Sequence, residues 1–280
     1  MNHVACEQRI PYHSAVHASD VLQTVFYWVT RESSDVLGML TQEDIFAMLI
    51  GATIHDYQHP GVSHPYLIQA NHTSRFIYND KDILENFHLC QAFKMMKTND
   101  VNIFSRLTKT QRRVIKRSIV DCVLATNFGH QRELIFDMTN DPKYVHGKDQ
   151  DIADLSRAEI RRTRSILRPL LLHASDISHC FKRPEIHLEW SERYFMEYYI
   201  EKEMLKAKGV LRSGVNRKEF PKEQIWFFDL WGIPFYRMLC EWVDMPESKL
   251  IIEQGERNSL YWHSDRRGTV PFVKAAQRNF

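Results

Sequence analysis

Apolar residues recur at helical spacing along most of the chain. Ile45, Phe46, Met48, Leu49, Ile50 and Ile54 follow Thr41 and Asp44, a pair spaced to cap each other's backbone groups, and Pro60-Gly61 stops the run. Asp82 and Glu85 repeat that signature ahead of Leu89 and Phe93, and Val114, Ile115, Ile119, Val123 and Leu124 mark a further helix. A longer helix is predicted from about Ser156 to His173, with Pro169 expected to kink it. Pro184 and Gly209 bracket an aromatic-rich helix through Trp190, Phe195 and Tyr199, and the last strong helix is predicted from Lys222 to Val243 with Pro234 inside it. No alternating β-branched run and no Asn-Gly or Asp-Gly hairpin signal occurs. Two polar stretches, about Asn140 to Asp154 and Gly209 to Pro221, read as surface loops. The pattern predicts one all-α domain over residues 1–280, with no internal repeat.

Composition adds limits. A chain of 280 residues, 44% hydrophobic and 26% charged, can bury a large core. Its 37 basic and 35 acidic side chains nearly balance, which argues against nucleic acid or an anionic membrane as an obligatory partner. The basic clusters Arg112-Arg113 with Lys116-Arg117, and Arg161-Arg162 with Arg164, read as solvated helix faces. Five cysteines (Cys6, Cys90, Cys122, Cys180, Cys240) lack CxxC spacing and suit reduced thiols in a cytoplasmic protein. The first residues carry no apolar signal segment, and no apolar run is long enough for a transmembrane helix.

The 14 histidines change the picture. His55-Asp56-Tyr57-Gln58-His59-Pro60-Gly61 offers a nitrogen and an oxygen ligand from consecutive residues, with Tyr12-His13-Ser14-Ala15-Val16-His17 before it and His173-Ala174-Ser175-Asp176 far after it. Two His and two Asp suit a divalent ion that keeps positions open for water, the arrangement of a hydrolytic centre rather than a structural one. His13 and His17 share a helix face, as do Glu85 and His88, and His59 falls at the rim of the helix that Pro60 ends. Asp176 follows Leu170-Leu171-Leu172 and so belongs at the inner end of a buried helix. One helical His is usually a hydrogen-bonded structural residue. Many such groups at the ends of apolar helices are too costly to bury unless they are paired or bind metal.

The segments YHSAVHASDV (12–21), HDYQHPGVSH (55–64), YNDKDILENFH (78–88), VLAT (123–126), LLHASDISH (171–179) and QIWFFD (224–229) together resemble the catalytic domain of class I cyclic-nucleotide phosphodiesterases, in the family's order and near its spacing. The resemblance spans roughly residues 10 to 245. It implies an all-helical, HD-type metal-dependent phosphohydrolase domain whose deep pocket holds two divalent ions, usually zinc in the tight site and magnesium or manganese in the other. Carried over by position, it makes His17, His55, Asp56 and Asp176 the ligands of the tight metal, with Asp56 bridging to the second ion. His59, Glu85, His88 and Thr126 match residues that orient metal-bound waters, and His13 matches the general acid. Tyr12, Gln224, Phe227 and His179 fall at substrate positions, Gln224 on the purine edge and Phe227 on its face. The implied reaction is hydrolysis of cAMP, cGMP or both to the 5′-nucleotide: a water between two cations attacks phosphorus, and a His held by a carboxylate such as Glu85 protonates the departing oxygen. A rotatable Gln224 amide beside a His179 ring free to donate or accept predicts that both purines are used.

The chain also departs from the family, which usually has Asn at the positions of Ser14 and His64, Asp at Asn127, Gly at Trp226 and an aliphatic residue at Tyr194. The stretch between Gly209 and Gln224 is shorter than usual, and the resemblance implies that this chain lacks upstream and some downstream helices of the family. Two other readings compete: a broader HD-type metal phosphohydrolase, which Gln224 and Phe227 argue against, and a nucleotide- or partner-binding relative without turnover, which the intact ligand set argues against.

Overall fold

The computed structural model describes residues 10–31, 34–146, 152–212 and 216–264. Among them helices dominate and no strand occurs, as the apolar pattern predicts. Ten longer helices carry the fold: α1 (Ala15–Val29), α2 (Gln42–Ile54), α3 (Ile83–Met95), α4 (Lys109–Leu124), α5 (Gln131–Thr139), α6 (Arg157–Asp176), α7 (Pro184–Ala207), α8 (Phe220–Phe227), α9 (Ile233–Val243) and α10 (Ser248–Ser264). Helix α2 packs against α1, α4 and α6. Val21, Val25, Met48, Ala52, Cys122 and the Leu170–Leu172 run meet in a buried core, where each large aliphatic side chain contributes about 1.5–3 kcal/mol of transfer free energy. Cys90, Cys122, Cys180 and Cys240 are free thiols, and Cys6 lies outside the described residues. None of the described helices is long and apolar enough to cross a membrane.

The predicted capping at Thr41 is present: its hydroxyl accepts from the Asp44 N–H, and the Asp44 carboxylate accepts from the Thr41 N–H. That carboxylate also holds Arg164 and Arg168 of α6, Arg168 at 2.5 Å, so Arg164 belongs to an ion-pair network rather than to the solvated face expected for it. Burial alone raises the Asp44 carboxyl, but its Thr41 bonds and the Arg168 and Arg164 guanidiniums together hold it below the usual range. Because its folded value is depressed, this contribution is complete above the unfolded carboxylate pKa of about 4 and is lost as pH falls through the lower folded value. Asp44→Ala strands two partly buried arginines and removes a cap, and is expected to cost about 3–5 kcal/mol at pH 7. Urea denaturation checks this, with the gap to wild type narrowing below about pH 4.

Three predicted elements differ in detail. Asp82 does not cap α3: its φ of 43° is left-handed, and its carboxylate takes the Asn127 amide at 2.7 Å and His130 at 2.8 Å, while Glu85 faces His64. The expected Lys222–Val243 helix is interrupted by a wide turn at Phe228–Gly232, which absorbs the missing N–H of Pro234 and seats Gly232 so close to Phe227 that a Cβ would lie 3.0 Å from the ring. The polar stretch from Asn140 contains a helical turn, Pro142–His146, tied to α6 through fully buried Asp141 and Thr163 at 3.0 Å. Helix α6 continues through Pro169 to Asp176, and Gly209, at φ +72°, closes α7 as predicted.

Helix α10 lies beyond the helices read from the sequence. It packs on α8 and α9, and its Gly255 meets the Phe181 ring so tightly that there is no room for a Cβ. Phe181 stacks at 3.6 Å on Tyr236, whose hydroxyl donates to the Ala174 carbonyl at 2.5 Å. That contact anchors the last turn of α6, where Asp176 stands.

Candidate active site

Three segments deliver the four predicted ligands to one point. α1 supplies His17, the C-terminal end of α2 supplies His55 and Asp56, and the last residue of α6 is Asp176. His17 Nε2 lies 2.9 Å from Asp176 Oδ1 and 3.5 Å from Asp56 Oδ2. His55 Nε2 lies 3.2 Å from Asp56 Oδ2 and 3.3 Å from Asp176 Oδ1. Despite these short separations, His55 Nε2 and Asp56 Oδ2 are buried without a hydrogen-bond partner. Two lone-pair atoms that converge without forming a hydrogen bond suit a shared cation. His55 Nδ1–H donates to the Ala52 carbonyl at 2.8 Å, so that in the neutral ring it is Nε2 that presents a lone pair to the cluster. Against the cost of burial, and without a cation, Asp56 and Asp176 raise His55 well above its ordinary value, and the charged ring in turn holds both carboxyls well below theirs. A bound cation would take the place of that proton. The donor set therefore fits a divalent metal.

His88 donates through Nδ1 to the Tyr57 carbonyl at 2.9 Å and aims a buried, unpartnered Nε2 at Asp56 Oδ1, 3.9 Å away. His59 accepts from the Gly61 N–H at 3.0 Å and is sandwiched between His13 at 3.8 Å and His88 at 5.3 Å. Thr126 lines the site, but its hydroxyl donates to the Val123 carbonyl at 2.8 Å.

The carboxylate behind His13 is Glu197 of α7, not Glu85. Glu197 binds the His13 ring at Nδ1 and accepts the backbone N–H groups of Tyr12 and His13 at 3.0 and 3.1 Å. Glu85 instead lies 2.9 Å from His64 Nε2. Burial disfavours the charged His13 ring, but Asp56 and Glu197 outweigh it and raise its pKa to about 9, so the ring carries a proton at neutral pH. Sequence reading missed Glu197, although it falls four and seven residues from Arg193 and Trp190 on the helix and only 6% of it is exposed. An acid on the stripe of α7 that also carries Trp190 was the available signal.

Two adjoining cavities meet at this point. One, of about 430 Å³, is lined by His13, Asp56, His59, Glu85 and His88; the other, of about 990 Å³, by Tyr12, His179, Gln224 and Phe227, and both share His13, Thr126 and Asp176. Every residue singled out from the sequence thus lines the two cavities or the cluster between them. Among the departures, Tyr194 borders both cavities and Trp226 the larger, where Trp226 remains half exposed. His64 and Asn127 line the smaller one. Of the short Gly209–Gln224 stretch, Glu219, Lys222 and Glu223 line the larger cavity, and residues 213–215 lie outside the described ones.

Comparison with known proteins agrees with this arrangement. Residues 12–254 match the family described as 3′5′-cyclic nucleotide phosphodiesterase, and the chain belongs to that family. It is 28% identical over 260 residues to the probable 3′,5′-cyclic-AMP phosphodiesterase pde-4 of Caenorhabditis elegans, covering 90% of this chain and 37% of that protein. The chain thus spans little more than a third of that relative. Its fold is shared with the phosphodiesterase domain of a Salpingoeca rosetta rhodopsin phosphodiesterase (TM-score 0.81, 21% identity, 94% of this chain and 78% of that one). It is shared also with LmjPDEB1 in complex with IBMX (TM-score 0.77, 23% identity, 93% and 77%).

Proposed function

We propose that this chain is a cyclic-nucleotide phosphodiesterase catalytic domain that hydrolyses the 3′,5′-phosphodiester of cAMP and cGMP to the 5′-nucleotide. The observation that carries the reading is the unpaired convergence of His55 Nε2 and Asp56 Oδ2, with His17 and Asp176, at the border of a cavity bearing Gln224 and Phe227. His17, His55, Asp56 and Asp176 would hold zinc, and Asp56 would also serve a second divalent ion, magnesium or manganese, whose waters His88, Glu85 and Thr126 would orient. Bound there, the two ions supply a water acidic enough to attack at neutral pH and offset charge on the phosphate.

The protein's own residues do the rest. As the water oxygen bonds to phosphorus and the P–O3′ bond breaks, the departing 3′-oxygen needs a proton. His13, charged at neutral pH and held through Nδ1 by Glu197, offers it from Nε2. Stacking of His59 on His13 fixes the plane of that ring. Gln224 would bond the purine edge, and Phe227, seated against Gly232, would stack on its face. Free thiols at Cys90, Cys122, Cys180 and Cys240 accord with a reducing, cytoplasmic setting.

The base clamp supplies the test. Gln224→Ala is expected to cost about 1–3 kcal/mol in kcat/KM for cyclic nucleotides by leaving a buried polar edge unpaired, and Phe227→Ala to weaken binding through lost stacking. Both variants should cleave bis(p-nitrophenyl) phosphate, which has no base, nearly as well as wild type. Equal losses on both kinds of substrate would favour a general phosphohydrolase.

A further inference from the structure

His179 ends a chain of three rings that begins in α10. Trp262, almost fully buried, donates its indole N–H to His187 Nε2 at 2.8 Å. His187 Nδ1 in turn lies 3.3 Å from His179 Nδ1. The two imidazole planes are within 14° of each other and their centroids are 5.4 Å apart, close to the largest separation that this nitrogen contact permits. The rings therefore meet edge to edge, along the line an N–H···N bond requires.

An indole nitrogen can only donate, so His187 Nε2 must hold a lone pair. Burial lowers the pKa of His187 to about 3 and, with His187 and His17 beside it, holds His179 well below its ordinary value. Both rings are thus neutral at physiological pH and carry one hydrogen each. The His187 hydrogen sits on Nδ1 and points at His179 Nδ1, which accepts. The hydrogen of His179 is left on Nε2. Cys180 Sγ, 3.8 and 3.7 Å from the two nitrogens of His179, sits over the ring rather than along either N–H direction. Ser191 Oγ stands likewise at 3.5 Å from both nitrogens of His187.

The same geometry decides against a metal. His179, Cys180 and His187 bring ligand atoms within 4.8 Å of one another. Ligation through His187 Nδ1 would need a lone pair there, but Trp262 already claims the only lone pair of the neutral ring. Burial also pushes the Cys180 thiol up, away from the thiolate that a metal requires.

We infer that Trp262 and His187 are positioning residues that fix His179 as a hydrogen-bond donor to the nucleotide base in the larger cavity. The inference rests on the functional reading above. It corrects the expectation of a His179 ring free to donate or accept. A fixed N–H pairs with N7 of either purine or with O6 of guanine, and cannot pair with the amino group of adenine. Gln224, whose amide can turn over, is then the adaptable half of the clamp and His179 the rigid half.

The direct test is nitrogen-15 NMR of the histidine-labelled, metal-loaded chain. The expected spectrum places the hydrogen of His179 on Nε2 and that of His187 on Nδ1, and addition of AMP or GMP shifts the His179 Nε2–H resonance. A hydrogen on His179 Nδ1, or no response to either nucleotide, overturns the inference. In Trp262→Phe the indole donor is lost and His179 populates both tautomers. KM for cAMP and cGMP is expected to rise about tenfold, the equivalent of one hydrogen bond. Turnover of bis(p-nitrophenyl) phosphate should stay within about twofold of wild type. Equal loss on all three substrates means a merely structural Trp262 and overturns the relay. The wild-type spectrum decides the matter even if the variant does not fold. A wild type that cleaves bis(p-nitrophenyl) phosphate but neither cyclic nucleotide overturns the functional reading instead, whichever tautomer His179 adopts.

Discussion

Asp176→Ala is expected to abolish cyclic-nucleotide turnover and to lower the zinc that survives desalting. Asp176 Oδ1 faces both imidazoles of the cluster, 2.9 Å from His17 Nε2 and 3.3 Å from His55 Nε2. Alanine removes one of four ligands and one of the two negative charges that attract the cation, while the last turn of α6 stays anchored through Ala174 and Tyr236. Elemental analysis of the purified variant, beside its circular dichroism spectrum, separates lost metal from lost fold. Wild-type metal content with wild-type activity would sink the ligand assignment.

The second large effect belongs to His13. His13→Ala should lower kcat by roughly 10²–10⁴-fold and leave metal content near that of wild type, since the ring donates a proton and holds no metal in this account. Glu197→Gln should act through the same ring, because Glu197 has no other described role at the reacting centre than binding His13 and the Tyr12 and His13 backbone. Adding Glu197→Gln to His13→Ala should therefore cost little more than His13→Ala alone, and steady-state kinetics of the double-mutant cycle checks it. Loss of zinc in His13→Ala would mean that His13 and His17 have exchanged roles.

What the sequence revealed was local. The Thr41–Asp44 cap, the helix start at Ser156 and the closing Gly209 each depend on residues within a turn of one another, and all three are present. The cluster of His17, His55, Asp56 and Asp176 was readable because His and Asp at the ends of apolar helices have few inexpensive explanations. What stayed hidden was pairing across distance. Asp82 has the right spacing to cap Glu85 but finds stronger partners in Asn127 and His130 of another segment. Glu85 looked like the acid behind His13 because it sits in a recognisable motif, whereas Glu197, 184 residues along the chain, makes the contact. Arg164 reads as surface until Asp44 is placed beside it. The wide turn before Pro234 and the Trp262–His187–His179 chain likewise depend on packing that no periodicity encodes.

The central claim is metal-dependent hydrolysis of a cyclic nucleotide, and one measurement meets it directly: product analysis of the wild-type chain with cAMP and with cGMP, before chelation, after chelation and after zinc and magnesium are returned. The expected result is AMP and GMP as products, specificity constants within about two orders of magnitude of each other (roughly 2.7 kcal/mol), loss of both activities on chelation and recovery on adding the metals back. Undiminished turnover in the chelator, or intact metal content with no 5′-nucleotide formed from either substrate, would contradict it.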